Sequence, residues 1–360
     1  MLKTLVGAFK NKDIRKKILY TLMILVIVRV GSLLPIPGVD TEYFSSLLSG
    51  INTGDLSYLS AFTGGSFERM SLFALSITPY ITSSIIMQLL AIAIPKLEEM
   101  QKEGEDGRKK IAAITRYVTI GLALIESIAM AVGFGRSGLI KGYQGFSTLH
   151  YIVSIMVVVA ALTAGSAMLM WLGERITENG VGNGISIVLL INIISGMPSD
   201  FATLYSTFVA PRTIAKGVLA AAIIIAILVV MVVLVCFLQD GERRIPVQYS
   251  QKVSGRKTFG GQSTNIPLKV NTAGVMPVIF ASSLMQFPVI IAQLFGKSYE
   301  WTRYLSSSYW CRVSAPKYSI GLILYVVLLI IFAYFYTSIT FNPIEVADNL
   351  KKAGGVIPGI

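Results

Sequence analysis

The sequence predicts an all-α, polytopic membrane protein. Three features predict it. Of the 360 residues, 54% are hydrophobic and only 14% charged, well below the charged share of an ordinary soluble chain. The apolar residues also fall into long runs: "ILYTLMILVIVRVGSLL" and "GVLAAAIIIAILVVMVVLVCFL" approach or exceed the roughly 18–20 residues that cross a hydrocarbon core. Finally, the bases are unevenly shared. With the N-terminus inside, twenty of the 31 Lys and Arg fall in inner segments, nine in outer ones, and Arg29 and Arg116 within spans. That excess sets both ends of the sequence on the cytoplasmic side.

At the start of the chain, Lys10 to Lys17 is basic and is expected to lie on the inner surface as a short helix. Eight spans are predicted, at 18–34, 72–94, 111–133, 150–172, 183–197, 213–238, 272–295 and 318–340. Many such runs succeed the first, so it is not a cleaved leader before a soluble remainder. It ends at "LLPIPGVD", where two prolines impose an extended exit. Residues 41–70 are too polar to span. They include "SYLSAFTGGSFERM", mildly amphipathic and rich in small residues, leading into the second span.

Spans four and five are joined by "WLGERITENGVGNGIS", so short and glycine-rich that the two helices must be adjacent and antiparallel. The fifth span, about 15 residues long, carries Asn192, a pattern of helices inside a bundle. The long inner segment "QDGERRIPVQYSQKVSGRKTFGGQSTNIPLKV" holds six bases and short alternating runs such as "RIPVQY". It reads as a structured hairpin. The last stretch, "TFNPIEVADNLKKAGGVIPGI", contains a short helix, "PIEVADNLKK", with Pro near its first turn and Gly soon after its end.

Enzyme chemistry finds no support. The single histidine, His150, lies near an outer span end, and no HExxH pair or G-x-S-x-G elbow occurs. Ser166 in "TAGSAM" has no intramembrane His partner. Two cysteines, Cys236 and Cys311, have neither a disulfide framework nor metal spacing. "GVGNGIS" lacks a P-loop lysine, so any energy must come from a partner. Neither cofactor nor metal is expected. Glu126 stands alone in the third span, where a carboxylate is either functional or an interhelical hydrogen-bonding group.

The second span carries polar residues at depth, "ITPYITSSIIMQ", and it has a counterpart. Counted from Pro79, Ile81, Met87 and Gln88 lie at the same offsets as Ile279, Met285 and Gln286 counted from Pro277. Ser83–Ser84 and Ser282–Ser283 lie between, displaced by one. The two spans run in opposite directions, the pattern of an inverted repeat with a path between its halves. A secondary transporter for a small solute shares that pattern, but would need a compact site with intramembrane charges. A passive scaffold leaves the paired polar spans without a role.

Longer motifs carry a resemblance. "LPIPGVD", "FALSITPYITSSIIMQLL", "QKEGEDGRKKIAAITRY", "MWLGERITENGVGNGIS", "QSTNIPLKVNTAGVMPVIFASS" and "FNPIEVADNLKKAGGVIPGI" resemble, in order, the bacterial SecY family, the large subunit of the protein-conducting channel. The resemblance implies a clamshell of two inverted, pseudo-symmetric halves around an hourglass pore. The halves would be 1–197, with spans one to five and a plug at about 55–70, and 198–360, with spans six to eight and inner loops 239–271 and 341–360. The second half would be incomplete, since the family has ten spans.

By motif, an aliphatic pore ring falls on Ile77, Ile81, Ile185, Leu189 and Ile279. The plug falls on Ser60, Phe62, Thr63, Gly64 and Gly65. A lateral gate falls on Ser83, Ser84, Gln88, Ser282, Ser283 and Gln286. Docking of the SecA ATPase motor or the ribosome falls on Arg243, Arg244, Lys252, Arg256, Lys257, Lys351 and Lys352. The implied partners are SecE, SecG, SecA, the ribosome, secretory precursors with their signal peptides, and membrane lipid. The implied location is the bacterial cytoplasmic membrane.

Overall fold

The computed structural model describes residues 10–50, 63–135, 148–211, 214–249, 252–254, 257–259, 263–294, 300–305, 310, 316–341, 343–352 and 354–357. Eight long helices coincide with the eight expected spans. They are α1 (Lys12–Leu33), α3 (Thr78–Ala93), α5 (Glu105–Phe134), α6 (Thr148–Asn179), α7 (Gly184–Leu204), α8 (Ile214–Asp240), α9 (Met276–Leu294) and α10 (Ile320–Thr340). Short helices α2 (Thr41–Gly50) and α4 (Pro95–Lys102) lie between them, and α11 (Pro343–Lys352) comes after α10. Five of these regions, α5, α6, α7 with its terminal turn, α8 and α10, are each long and apolar enough to cross a membrane in one piece.

Three expectations need correction. The basic stretch from Lys12 is no separate surface helix. It forms the first turns of α1, capped by Asn11, whose side chain accepts from the Asp13 amide at 3.1 Å. The second span does not start at residue 72. Residues 72–77 turn without forming helix, and α3 begins at Thr78 with Pro79 in its first turn, where a missing amide hydrogen costs nothing. The fifth span is not short. It runs 21 residues through Pro198 and continues as a π-turn, Tyr205–Val209. Proline is tolerated here because a membrane helix can satisfy the freed carbonyl locally.

Contacts divide the chain into two compact units, residues 1–201 with 285–322, and 202–284 with 323–360. In the first unit, α5 packs on α6 and on α3. The Arg116 Nε donates to Glu174 Oε1 at 2.7 Å, joining α5 to α6. At the depth of Glu126, the bond between these helices runs from Thr163 Oγ1 to Ser127 Oγ, at 3.0 Å. α6 and α7 meet closely. A Cβ on Gly184 would collide with the Gly173 carbonyl, so only glycine fits. Asn183 then caps α7, its Oδ1 accepting from Ile185 N at 3.1 Å.

The second unit contains the inner segment, which is a hairpin as its alternation predicts. β1 (Glu242–Tyr249) pairs antiparallel with β4 (Ser263–Lys269), with Ile245 opposite Ile266. β2 (Lys252–Ser254) and β3 (Lys257–Phe259) pair separately. A third strand, β5 (Gly355–Val356), comes after α11 and joins the free edge of β1 at Gln248 and Tyr249. Val247 is fully buried. Phe280 on α9 meets Phe332 and Tyr336 on α10 edge-on, with centroids 5.6 and 6.1 Å apart.

Candidate functional site

The site is built around the segment that enters α3, residues 63–77. Its backbone is unusual. Gly64 and Gly65 have φ of +62° and +79°, and two non-glycine residues, Met70 and Ser76, have φ of +42° and +52°. A side chain held in that region costs about 1–3 kcal/mol and persists only where its surroundings enforce it. The surroundings here are dense. The Ile36 amide donates to Met70 O at 3.1 Å and the Leu72 amide to Leu34 O at 2.9 Å, so the segment pairs with the proline-rich exit of α1. Against them lies an apolar cluster including Ile36, Phe44, Phe67, Met70, Met130 and Leu162. Phe44 makes edge contacts with Phe67 and Phe134 at 5.9 and 5.1 Å.

A second apolar cluster lies where α3 begins. It contains Ile24 and Val28 of α1, Phe73, Ile77, Leu169, Leu172 and Ile176 of α6, and Val188 of α7, with Ile81 and Ile185 packed against it. Three of the five expected ring residues, Ile77, Ile81 and Ile185, therefore come together. Ile77 is only 1% exposed, whereas Ile81 and Ile185 are half-buried. Leu189 is half-buried one turn after Ile185. Ile279 belongs to the second unit and is half-buried in the first turn of α9.

Of the plug residues, Ser60 and Phe62 lie outside the described residues. Thr63 is buried, and its Oγ1 accepts from the Phe67 amide at 3.3 Å. Gly64 is pressed against α7, where a Cβ would come within 2.6 Å of Ser195 Oγ and 2.7 Å of Asn192 O. Gly65 has open space around it.

The expected gate residues separate by partner. Ser83 is fully buried and committed to α5, its Oγ 2.6 Å from Thr119 Oγ1 and donating to Thr115 O at 3.2 Å. Ser84 and Gln88 are half-buried, and Gln88 Oε1 has no hydrogen-bond partner. Ser282 donates back to Val278 O at 2.7 Å, while Ser283 is half-buried. The Gln286 side chain lies outside the described residues. The repeat extends to burial, for Met87 and Met285 are each 4% exposed and both prolines occupy the second helical position.

Among the expected docking residues, Arg243 and Arg244 lie exposed on β1, and Arg244 Nε sits 3.7 Å from Glu242. Lys351 and Lys352 are exposed in the last turn of α11, where the helix dipole favours cations. Arg256 and the side chains of Lys252 and Lys257 fall outside the described residues. Among the described residues, no group of three His, Cys, Asp or Glu could hold a metal. Sequence reasoning did not single out Ser76. Its signal was faint, a serine directly before the Ile77–Pro79 turn.

Several helices long and apolar enough to span, with an aliphatic cluster at the Pro-initiated entry to α3, define a polytopic helical membrane protein. Its family is shown by its relatives. The family model for SecY matches residues 71–360, and the protein translocase subunit SecY of Streptomyces scabiei is 42% identical over the whole chain and 82% of its own length. The chain belongs to the SecY family of protein-conducting channel subunits, whose members move polypeptide and catalyse no reaction of their own. Two solved structures share the fold. One is a SecY protein whose plug domain is described as stabilising the closed state of the translocation channel and maintaining a membrane seal (TM-score 0.62, 20% identity, 96% of this chain and 78% of that one). The other is canine Sec61 in a ribosome–channel complex (TM-score 0.60, 18% identity, 93% and 75%).

Proposed function

We propose that the cluster at the start of α3 is the first unit's share of a pore constriction, with Ile77, Ile81, Ile185, Leu189 and Ile279 as its ring. The observation that carries this is the convergence of Ile77, Ile81 and Ile185 at the non-helical entry to α3. Aliphatic side chains exclude ions by dewetting, yet make no directional bonds to a passing chain. The segment from about 55 to 70 is the plug, and Thr63, Gly64 and Gly65 form its anchored end. Ser84, Gln88, Ser282, Ser283 and Gln286 line a lateral gate through which transmembrane segments leave for lipid. Ser83 serves that gate from behind, fastening α3 to α5.

The halves of the clamshell are 1–197 and 198–360. The exposed bases of the hairpin and of α11 dock acidic protein or ribosomal RNA phosphate, in the forms of SecA and the ribosome. SecE and SecG complete the complex. It sits in the bacterial cytoplasmic membrane with its N-terminus inside, and secretory precursors are its cargo.

The test is photo-crosslinking. A photoreactive residue replaces Ile81, with a lipid-facing control at Val229, and a precursor is stalled in mid-passage through the complete translocase. Ile81 should label the precursor strongly and Val229 should not. Equal labelling at both positions, or none at Ile81, removes the ring.

A further inference from the structure

We infer that Asn192 is a positioning residue that holds Ser76 in its left-handed turn and thereby keeps the ring isoleucines in their sealed arrangement. The inference rests on the proposed pore ring.

Every polar group of Ser76 is tied. Its amide donates to Phe73 O at 2.9 Å. Its carbonyl accepts from Ser166 Oγ of α6 at 3.5 Å. Its hydroxyl accepts from Asn192 Nδ2 of α7 at 3.2 Å. Both side chains are 3% exposed, so water does not compete.

The position matters because Ser76 immediately precedes the ring. Its φ is +52°, the next residue is Ile77, and α3 starts at Thr78. A serine released from the left-handed region returns to negative φ, and that rotation redirects the chain at its entry to α3. Pro79 prevents the relaxed segment from joining a straight helix, because its ring clashes with the carbonyl four residues earlier. Ile77 therefore leaves the cluster when Ser76 relaxes. Asn192 holds only one side of this arrangement through its amide. Its Oδ1 is buried and makes no hydrogen bond, so the side chain gives up polarity for the single bond to Ser76. An apolar residue of like size would pack as well and hold nothing.

The experiment measures resting ion conductance of the complete translocase in planar bilayers. Asn192→Leu keeps the branched heavy-atom framework and removes the bond. It should raise resting conductance roughly fivefold, the shift expected from one lost buried hydrogen bond. Ser76→Gly should stay sealed, since glycine adopts positive φ without help. Asn192→Leu added to Ser76→Gly should then raise conductance no further. Ser166→Ala should leak in the same direction by less.

Asn192→Leu with unchanged conductance and normal precursor transport overturns the proposal. So does an equal leak from Asn192→Leu with and without Ser76→Gly, which would make Asn192 a packing residue. Ile81→Gly separates the ring from the clamp. If it does not leak, the ring falls and the clamp with it. If it leaks while Asn192→Leu does not, only the clamp falls.

Discussion

Ser83 and Thr119 lie 2.6 Å apart inside a bundle that lipid surrounds, and both are fully buried. Lipid has no water to compete for either hydroxyl, yet each also has a backbone acceptor nearby, which is why such bonds are worth only about 0.6 kcal/mol on average. Ser83 has three neighbours available, Thr119 Oγ1, Thr115 O and Tyr80 O, and is placed above that average. Ser83→Val should therefore destabilise the protein in detergent by about 1–1.5 kcal/mol, read from denaturant unfolding, with a double-mutant cycle against Thr119→Val showing most of it as coupling. Simple additivity of the two variants would show that the hydroxyls act independently. The sequence could show that Ser83 was polar at depth and had a counterpart at Ser282. It could not show which helix each would face, because serine's short side chain bonds whatever lies next to it. Ser76 was hidden for a related reason. A left-handed serine has no pattern of its own, and only the packing of α6 and α7 makes it necessary.

Among elements, the hairpin shows where periodicity informs and where it stops. The alternation in "RIPVQY" and the matching run "STNIPLK" mark β1 and β4, and their antiparallel register is the consequence. The two-residue strand β5 has no period to read, and it comes from the far side of α9, α10 and α11. It caps only the last two residues of β1, tying the hairpin to the segment after α11. Val356→Pro removes the amide that a ladder position needs. Hydrogen exchange should quicken by roughly tenfold at whichever of Gln248 and Tyr249 turns its amide toward β5, as expected for local opening after one lost bond. Protection between Arg243 and Val247, held by β4, should stay unchanged. A loss of protection along the whole of β1 would mean that β5 is integral to the hairpin. The fifth span teaches a complementary point: its apolar run ends at residue 197, but α7 continues through Pro198 because helix is the cheapest way to satisfy backbone in lipid.

At the scale of the whole molecule, the count of spanning helices and the placement of bases constrain each other. The eight spans expected from the sequence would put Lys12 and Lys351 on the same side, whatever that side is. The same alternation puts the hairpin with them and the α7–α8 connection opposite. The twenty bases of the inner segments then select the orientation, since translocating so many across the membrane is disfavoured. The helical, multi-pass character was the most legible feature of the sequence, because long hydrophobic runs report on the membrane without any knowledge of packing. The check is cysteine accessibility in intact cells. Cys311 is replaced by Ser, since it falls in an outer segment, whereas Cys236 can stay because it sits within the apolar α8. A membrane-impermeant maleimide should label Asp200→Cys, at the exposed far end of α7, without lysis. Asn265→Cys on β4 should label only after lysis. The reverse pattern would invert the topology and put the basic hairpin outside. Labelling of both in intact cells would mean that the helices between them cross the membrane an even number of times, and α8 would then have to leave the bilayer despite containing no charged residue between Lys216 and Asp240.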